Sequence, residues 1–245
     1  MKKLNIDHKK HPLYRRRTGK ALLKRFEDKY GKEKAAVLFE SMNRCYEQFV
    51  ADMPYIGGKD NPLWDQLYDS IACFAYWEAL PDKESTEEFE ETVAAVFENN
   101  GLVLPDWCSA NNPHFFKLAM KLIMKIFAAM SKNMNSRTES GEWNNSWKLL
   151  VNPGNSKEGG QMVLVGCPIY DFAKKHGYLH LMPAHCNVDY RNMKGFGITL
   201  VRPFTVARGD SICDYRYVAS KSETAKKYPV KKDDNGYLYN DLPLN

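Results

Sequence analysis

Residues 198–218 read ITLVRPFTVARGDSICDYRYV, and this stretch decides the fold class. β-branched and aromatic side chains concentrate in two runs, Ile198–Val206 and Ile212–Val218, as is typical of β-strands. The residues between them, Ala207–Ser211, include a glycine and have the composition of a turn. The sequence therefore predicts an antiparallel hairpin, with Pro203 at an edge or a bulge of its first strand.

Two further short β-like runs precede the hairpin, at Trp147–Val151 and Gln161–Val165. The chain before residue 135 reads as helices, because its apolar residues recur at three- and four-residue spacings. Two more helices are predicted closer to the hairpin, over Pro168–His176 and Pro183–Met193. These patterns predict an α+β fold, in which a helical N-terminal part packs on a small antiparallel sheet.

Local signals mark where several helices begin and end. Asn61–Pro62 predicts the N-cap and the first turn of the third helix. Ser85 and Glu88 fit a capping box ahead of the fourth helix. Asn112–Pro113 predicts the start of a fifth helix that ends near Lys132.

The predicted elements suggest three regions in one integrated domain. We expect a helical region over residues 1–135 and an α+β region over residues 136–220, which begins with a polar connector over 136–146. The polar residues 221–245 predict a loosely held tail.

The composition excludes several classes of protein. With 44% hydrophobic residues, the 245-residue chain has enough apolar material for a packed core, so disorder over its whole length is excluded. The most apolar stretch, Phe115–Met130, is too short for a membrane span and is interrupted by lysines. The N-terminus lacks the apolar core of a signal peptide, so we expect a cytoplasmic protein with no membrane partner. The net charge of +5 comes with no nucleic-acid-binding motif, so we expect no nucleic-acid partner.

The six cysteines divide into two groups. Cys45, Cys73 and Cys108 lie singly in the helical part, where a free cysteine most often packs as a small apolar residue. The other three share a C-terminal segment with three histidines, and the members of this second group are Cys167, Cys186, Cys213, His176, His180 and His185. A cytoplasmic protein keeps such thiols reduced, so this segment is a candidate for chemistry.

The helix predicted from Pro183 brings three reactive side chains together. Cys186 and Asp189 are three residues apart, and His185 and Asp189 are four apart, so all three share one helix face. A thiol beside a carboxylate and an imidazole provides a nucleophile with an acid–base partner, or half of a metal site.

The hairpin carries a second set of polar side chains. In the strand from Ile212, Cys213 faces one way, whereas Asp214 and Arg216 face the other. Arg202 lies on the partner strand. The two arginines could clamp a substrate carboxylate, for which guanidinium groups are well suited, or either could form a cross-strand ion pair with Asp214.

These segments resemble a known family. The Cys186-x-x-Asp189 pair, the Leu200-x-Arg202 sequence and Thr205 before the turn, and the strand Cys213-Asp214-aromatic-Arg216 are similar to motifs of the L-2-amino-thiazoline-4-carboxylic acid hydrolase family. The C-terminal part also looks distantly like vinyl-reductase-type ligand-binding domains, which bind small molecules and sometimes zinc.

The resemblance implies a hydrolase that opens a cyclic isothiourea ring by acting on carbon–nitrogen or carbon–sulfur bonds. Its substrate would be a small carboxylate, and its product an N-carbamoyl-cysteine, which places the activity in cysteine metabolism.

The resemblance also implies roles for individual residues. The expected catalytic set has three members. Cys186 would be the nucleophile or a metal ligand, and Asp189 the general base or an orienting group. His180 is the third member. Arg202, Arg216, Thr205 and Asp214 are expected to bind substrate, with Cys167, Cys213 and His185 in support. A divalent metal such as zinc at Cys186, Cys213 and His180 is left open.

Two other functions remain compatible with the sequence. The same site could bind a small molecule or a metal as a sensor without turnover, or the basic N-terminal helices could bind a protein partner. The sequence also leaves the oligomeric state open, a homo-oligomer included.

Overall fold

A four-stranded antiparallel sheet forms the β part of the computed structural model, which describes residues 11–97, 104–154 and 158–241. Its strands are β1 (Lys148–Val151), β2 (Gly160–Val165), β3 (Ile198–Val201) and β4 (Ile212–Ala219), arranged in the order β1-β2-β4-β3. Val201 pairs with Arg216 across the hairpin, and Val163 of β2 pairs with Asp214 on the other side of β4. The α+β class predicted from the sequence is therefore confirmed.

Five helices precede the sheet, as the apolar periodicity predicts. They are α1 (Arg17–Tyr30), α2 (Lys32–Asp52), α3 (Trp64–Ala79), α4 (Thr86–Phe97) and α5 (Pro113–Glu139). Three more lie beyond β2: α6 (Pro168–His176), α7 (Met182–Lys194) and α8 (Glu223–Lys227). Among the residues that the structure describes, no helix combines the length and apolar character needed to cross a membrane.

Two of the predicted caps are formed by local hydrogen bonds. At α4, Ser85 N–H donates to Glu88 Oε2 over 2.9 Å, and Glu88 N–H donates to Ser85 Oγ over 3.2 Å, which confirms the capping box. At α5, the Asn112 side chain accepts from the amides of His114 and Phe115, so this N-cap is also confirmed.

The predicted cap at Asn61 is wrong. Helix α3 begins at Trp64, and the fully buried Asn61 closes the loop ahead of it. Asn61 Nδ2 donates to Ile56 O over 2.7 Å and to Ser146 Oγ over 2.9 Å, while its Oδ1 accepts from Leu63 N–H. The side chain ties two distant segments together, because buried amide groups need hydrogen-bond partners wherever the fold supplies them.

The end predicted for α5 near Lys132 is also wrong, and part of the expected polar connector is helical. The helix continues to Glu139 because its last turns have tertiary partners. Met134 is buried, and Asn135 bonds to the backbone of Leu149 in β1 through both of its side-chain atoms, over 2.8 and 2.9 Å.

The first strand of the hairpin is shorter than predicted. Strand β3 ends at Val201, where the regular ladder with β4 stops, although Asp214 N–H of β4 still donates to Phe204 O over 3.2 Å. Arg202 N–H donates to Asn240 Oδ1, and Thr205 N–H donates to Asp210 Oδ2, each over 2.8 Å. Pro203 has no amide hydrogen to continue a ladder, so the connection is a structured loop instead of a tight turn.

The segment after residue 220 is held more closely than its polar composition predicts. After α8, Lys231–Lys232 pairs with Leu238–Tyr239, and Tyr237 and Asn240 are buried. Asn187 of α7 binds this segment twice, because its Oδ1 accepts from Leu238 N–H and its Nδ2 donates to Gly236 O. Residues 242–245 lie outside the described residues.

One apolar cluster joins helices and sheet. It includes Phe74 of α3, Phe89 of α4 and Phe172 of α6, and from the sheet Leu164 and Cys213. Helix α7 packs against α4 and β3, so one of its faces is directed toward the inner surface of the sheet.

We predict that Asn61→Ala destabilises the protein by about 2–3 kcal/mol, because it removes the hydrogen bonds from the buried Asn61 amide to Ile56 O and Ser146 Oγ and the one it accepts from Leu63 N–H. Asn112→Ala is the matched control and removes an exposed cap worth about 1 kcal/mol. Urea unfolding of both variants measures the difference, and an equal loss in the two would contradict the structural role of Asn61.

Candidate active site

A cavity of about 290 Å³ lies between one face of the sheet and helices α3 and α7. From α7 it is lined by residues at three- and four-residue spacings, which are Met182, His185, Cys186, Val188, Asp189, Asn192 and Met193. From β4 it is lined by Cys213, Tyr215 and Tyr217, which alternate along the strand. The two faces that the sequence singles out therefore meet across one enclosed space.

Asp189 is the only lining residue with a formal charge among the described residues. Its Oδ2 accepts from Arg202 Nη1 over 2.8 Å and from the Tyr215 hydroxyl over 3.2 Å. Its Oδ1 makes no hydrogen bond within the described part of the chain, and 36% of its side-chain surface is exposed. One carboxylate oxygen is thus held in place while the other remains available to a ligand or a water molecule.

Arg202 lies behind Asp189 and does not line the cavity. Its side chain has no exposed surface, and its second terminal nitrogen donates to Cys186 O over 2.8 Å. The guanidinium carbon lies 4.9 Å from the ring centre of Tyr190 and 5.4 Å from that of Tyr215. In this position Arg202 orients Asp189 and balances its charge, as expected for a buried ion pair with additional hydrogen bonds.

Asp214 and Arg216 lie on the opposite face of the sheet from the cavity. Asp214 Oδ1 accepts from Gln161 Nε2 over 2.8 Å, and its Oδ2 accepts from Arg216 Nε over 3.0 Å. The two arginines of the hairpin region therefore do not converge, and each is paired with an aspartate on its own side.

The remaining predicted site residues are dispersed. Cys167 lines the cavity, where its Sγ accepts from Tyr170 N–H over 3.4 Å and caps α6. Thr205 is fully buried and lies outside the cavity lining. His180 is exposed on a 3₁₀ turn, with its ring 5.7 Å from that of Trp77.

Burial determines the protonation of the cavity groups. It raises the pKa of Asp189, and the Arg202 charge with the hydrogen bonds from Tyr215 and Arg202 only partly opposes this. Burial also raises the pKa of Cys167 to about 12 and the pKa values of Cys186 and Cys213 above their ordinary value. All three thiols are therefore protonated at neutral pH, so none is a ready thiolate nucleophile.

The described residues form no metal-binding group of three or more His, Cys, Asp or Glu side chains. Of the three possible zinc ligands that the sequence leaves open, Cys186 and Cys213 line the cavity and His180 lies outside it. This donor set does not fit a zinc site, which needs its ligands around one centre.

Two residues of the site were not among the predicted site residues. Tyr215 bonds to Asp189, and its alternation with Cys213 on the strand is a signal that could have identified it. Asn240 fixes the backbone at Arg202 from 38 residues further along the chain. No local pattern indicates such a contact.

Comparison with protein families gives a match over residues 69–217, which is more than half of the chain, and the matching description is L-2-amino-thiazoline-4-carboxylic acid hydrolase. The chain belongs to this family. The matched range includes α7, β3 and most of β4, the elements that hold Asp189 and its partners. Neither the curated proteins nor the solved structures gave a match. Membership in the family supports a hydrolase-type function for the chain.

A second titratable side chain of the cavity, besides Asp189, has unusual surroundings. It is His185. It is 9% exposed and is surrounded by the rings of Phe74, Phe89 and Phe97, at centroid distances of 4.7–6.2 Å. Neither ring nitrogen has a hydrogen-bond partner among the described residues. Burial alone lowers the pKa of His185 to about 3, so the ring is neutral at pH 7.

We predict that His185→Phe stabilises the protein by about 1 kcal/mol at pH 7, because it replaces an unpartnered buried polar group by an apolar ring. The folded-state pKa lies below the unfolded value of about 6.5, so acid favours the unfolded wild-type chain. The advantage of the variant should grow by about 1.4 kcal/mol for each pH unit from 6.5 toward 3. Urea unfolding of both proteins between pH 7 and 4 tests this, and a constant difference would contradict it.

Proposed function

We propose that the cavity hydrolyses a small cyclic isothiourea that carries a carboxylate, such as L-2-amino-thiazoline-4-carboxylate, to an N-carbamoyl-cysteine. The observation that carries the proposal is Asp189, a carboxylate held by Arg202 and Tyr215 at the wall of the cavity. Family membership supports the same reaction class. The volume of about 290 Å³ is near the small end of ligand pockets and suits a small heterocycle.

In this proposal Asp189 acts as the general base. The oxygen of a water molecule bonds to the ring carbon between nitrogen and sulfur, and one water proton passes to Asp189 Oδ1. The carbon–sulfur bond then breaks, and the sulfur takes that proton and becomes a thiol. The second water proton moves to the ring nitrogen as the carbonyl of the carbamoyl group forms. The raised pKa of Asp189 suits it to this proton exchange, because the pKa of the base then lies closer to the pH at which the enzyme works.

The surroundings of Asp189 define what the other residues contribute. Arg202 fixes the carboxylate through Oδ2, so the geometry of the base is preorganised before substrate binds. The amidine group of the substrate can donate its N–H groups to the same carboxylate. Cys186 and Cys213 supply protonated thiols to a wall that also contains Met182.

Asp189→Asn tests the role of the base. We expect kcat/KM to fall by about 10²- to 10⁴-fold, as is usual when a general base is removed. The assay follows release of the product thiol with a colour reagent. Asp171→Asn is the matched control, because Asp171 lies outside the cavity in α6 and accepts from Asn145 at the surface.

The pH profile gives a second readout of the same step. In the wild type, kcat/KM should fall as the pH drops through the pKa of Asp189, which lies above the ordinary aspartate value of about 3.9. The residual activity of Asp189→Asn should lack this acidic limb. A profile that is unchanged in the variant would assign the base to another group.

Cys186→Ala separates water attack from attack by a thiol. Because burial keeps Cys186 protonated, we expect kcat/KM to change by less than about tenfold, from altered packing alone. A loss as large as that of Asp189→Asn would make Cys186 the nucleophile. A ligand-dependent rise in Tm with no thiol released would identify a sensor instead of an enzyme.

A further inference from the structure

The cavity has no cationic side chain with which to bind a carboxylate. None of its described lining residues is a lysine or an arginine, since Arg202 is enclosed behind Asp189 and Arg216 lies on the other face of the sheet. A ligand that carries both an amidine and a carboxylate would be attracted to Asp189 by the first group and repelled by the second. Its carboxylate therefore needs a hydrogen-bond donor elsewhere on the wall.

His185 has the features of such a donor. It lines the cavity, is nine-tenths buried, and has no hydrogen-bond partner among the described residues at either nitrogen. A neutral imidazole carries one N–H group and can donate it to an anion. Asn192 Oδ1 is also enclosed without a partner, but it is an acceptor and cannot bind a carboxylate.

The spacing along α7 places His185 beside Asp189, at a distance that a small ring can span. His185 and Asp189 are four residues apart on one helix, so their Cβ atoms lie about 5–6 Å from each other on the same face. A five-membered heterocycle can lie between them, with its amidine directed at Asp189 and the substituent on its far side directed at His185.

We propose that His185 anchors the carboxylate of the ligand by donating a ring N–H group to it. The proposal rests on the proposed function for the position of the amidine at Asp189. Both ring nitrogens are enclosed by neighbouring atoms, so the ring has to turn to present its N–H group to the cavity. A half-turn about the Cβ–Cγ bond exchanges Nδ1 with Cδ2 and Nε2 with Cε1 without moving the ring out of its apolar surroundings.

The cage around His185 explains why a hydrogen bond there would be selective. Helices α3 and α4 present the rings of Phe74, Phe89 and Phe97 to the imidazole. These phenyl rings carry no hydrogen-bond acceptor that competes for the N–H group, and hydrogen bonds are stronger in such low-dielectric surroundings.

The test measures binding of two non-hydrolysable probes by titration calorimetry. Thiazole-4-carboxylate carries the anionic group, and 2-aminothiazole lacks it. In His185→Phe we expect the affinity for the carboxylate probe to fall about 10- to 100-fold, the usual effect of losing a hydrogen bond to a charged group. The affinity for 2-aminothiazole should change less than about threefold. His185→Gln keeps an N–H donor and should recover part of the lost affinity.

His114→Phe is the matched control, because it makes the same substitution at an exposed position in the first turn of α5, outside the cavity. It should leave both affinities unchanged. If His185→Phe lowers the affinity for both probes equally, His185 has a packing role and the proposal is overturned. The proposal is also overturned if the variant binds thiazole-4-carboxylate as tightly as the wild type does, or if the wild type does not bind this probe.

The two proposals fail in different ways. If the wild type releases no thiol from L-2-amino-thiazoline-4-carboxylate, the proposed function fails, whatever the binding of the probes. If thiol is released normally and His185→Phe leaves KM for this substrate unchanged, the proposed function stands and the carboxylate anchor is wrong.

Discussion

The ion pair between Arg202 and Asp189 is the interaction on which the site depends. A guanidinium without exposed surface is costly to bury, and here it is compensated by Asp189, by the carbonyl of Cys186 and by the faces of two tyrosine rings. The pair joins helix α7 to the end of β3. Because Asn240 binds the backbone of Arg202, the C-terminal segment is attached to the same centre.

This arrangement gives the cavity its chemical character. Among the described lining residues, the carboxylate of Asp189 carries the only formal charge, because its partner Arg202 lies behind it. The surrounding thiols stay protonated because they are buried, and His185 stays neutral for the same reason. A buried histidine without partners lowers stability, so its presence beside the candidate base is more easily understood as a property of ligand binding than of folding.

Local signals in the sequence predicted the elements well and their ends less well. The capping box of Ser85 and Glu88 succeeded because both partners lie within one turn of chain. The cap at Asn61 failed because its side chain has better partners in two distant segments. Strand β3 and helix α5 were misjudged for the same reason, since Asn240 and Leu149, far along the chain, decide where they end.

The sequence by itself determined the fold class and the two segments that carry the candidate chemistry, because helical and strand periodicities depend only on neighbouring residues. It also placed Cys186 with Asp189 on one helix face. Only the tertiary structure decided which charges meet. It enclosed Arg202 behind Asp189, turned Arg216 to the opposite face and left His180 at the surface. Charge pairing, burial and pKa depend on groups far apart in the chain, and no local pattern contains them.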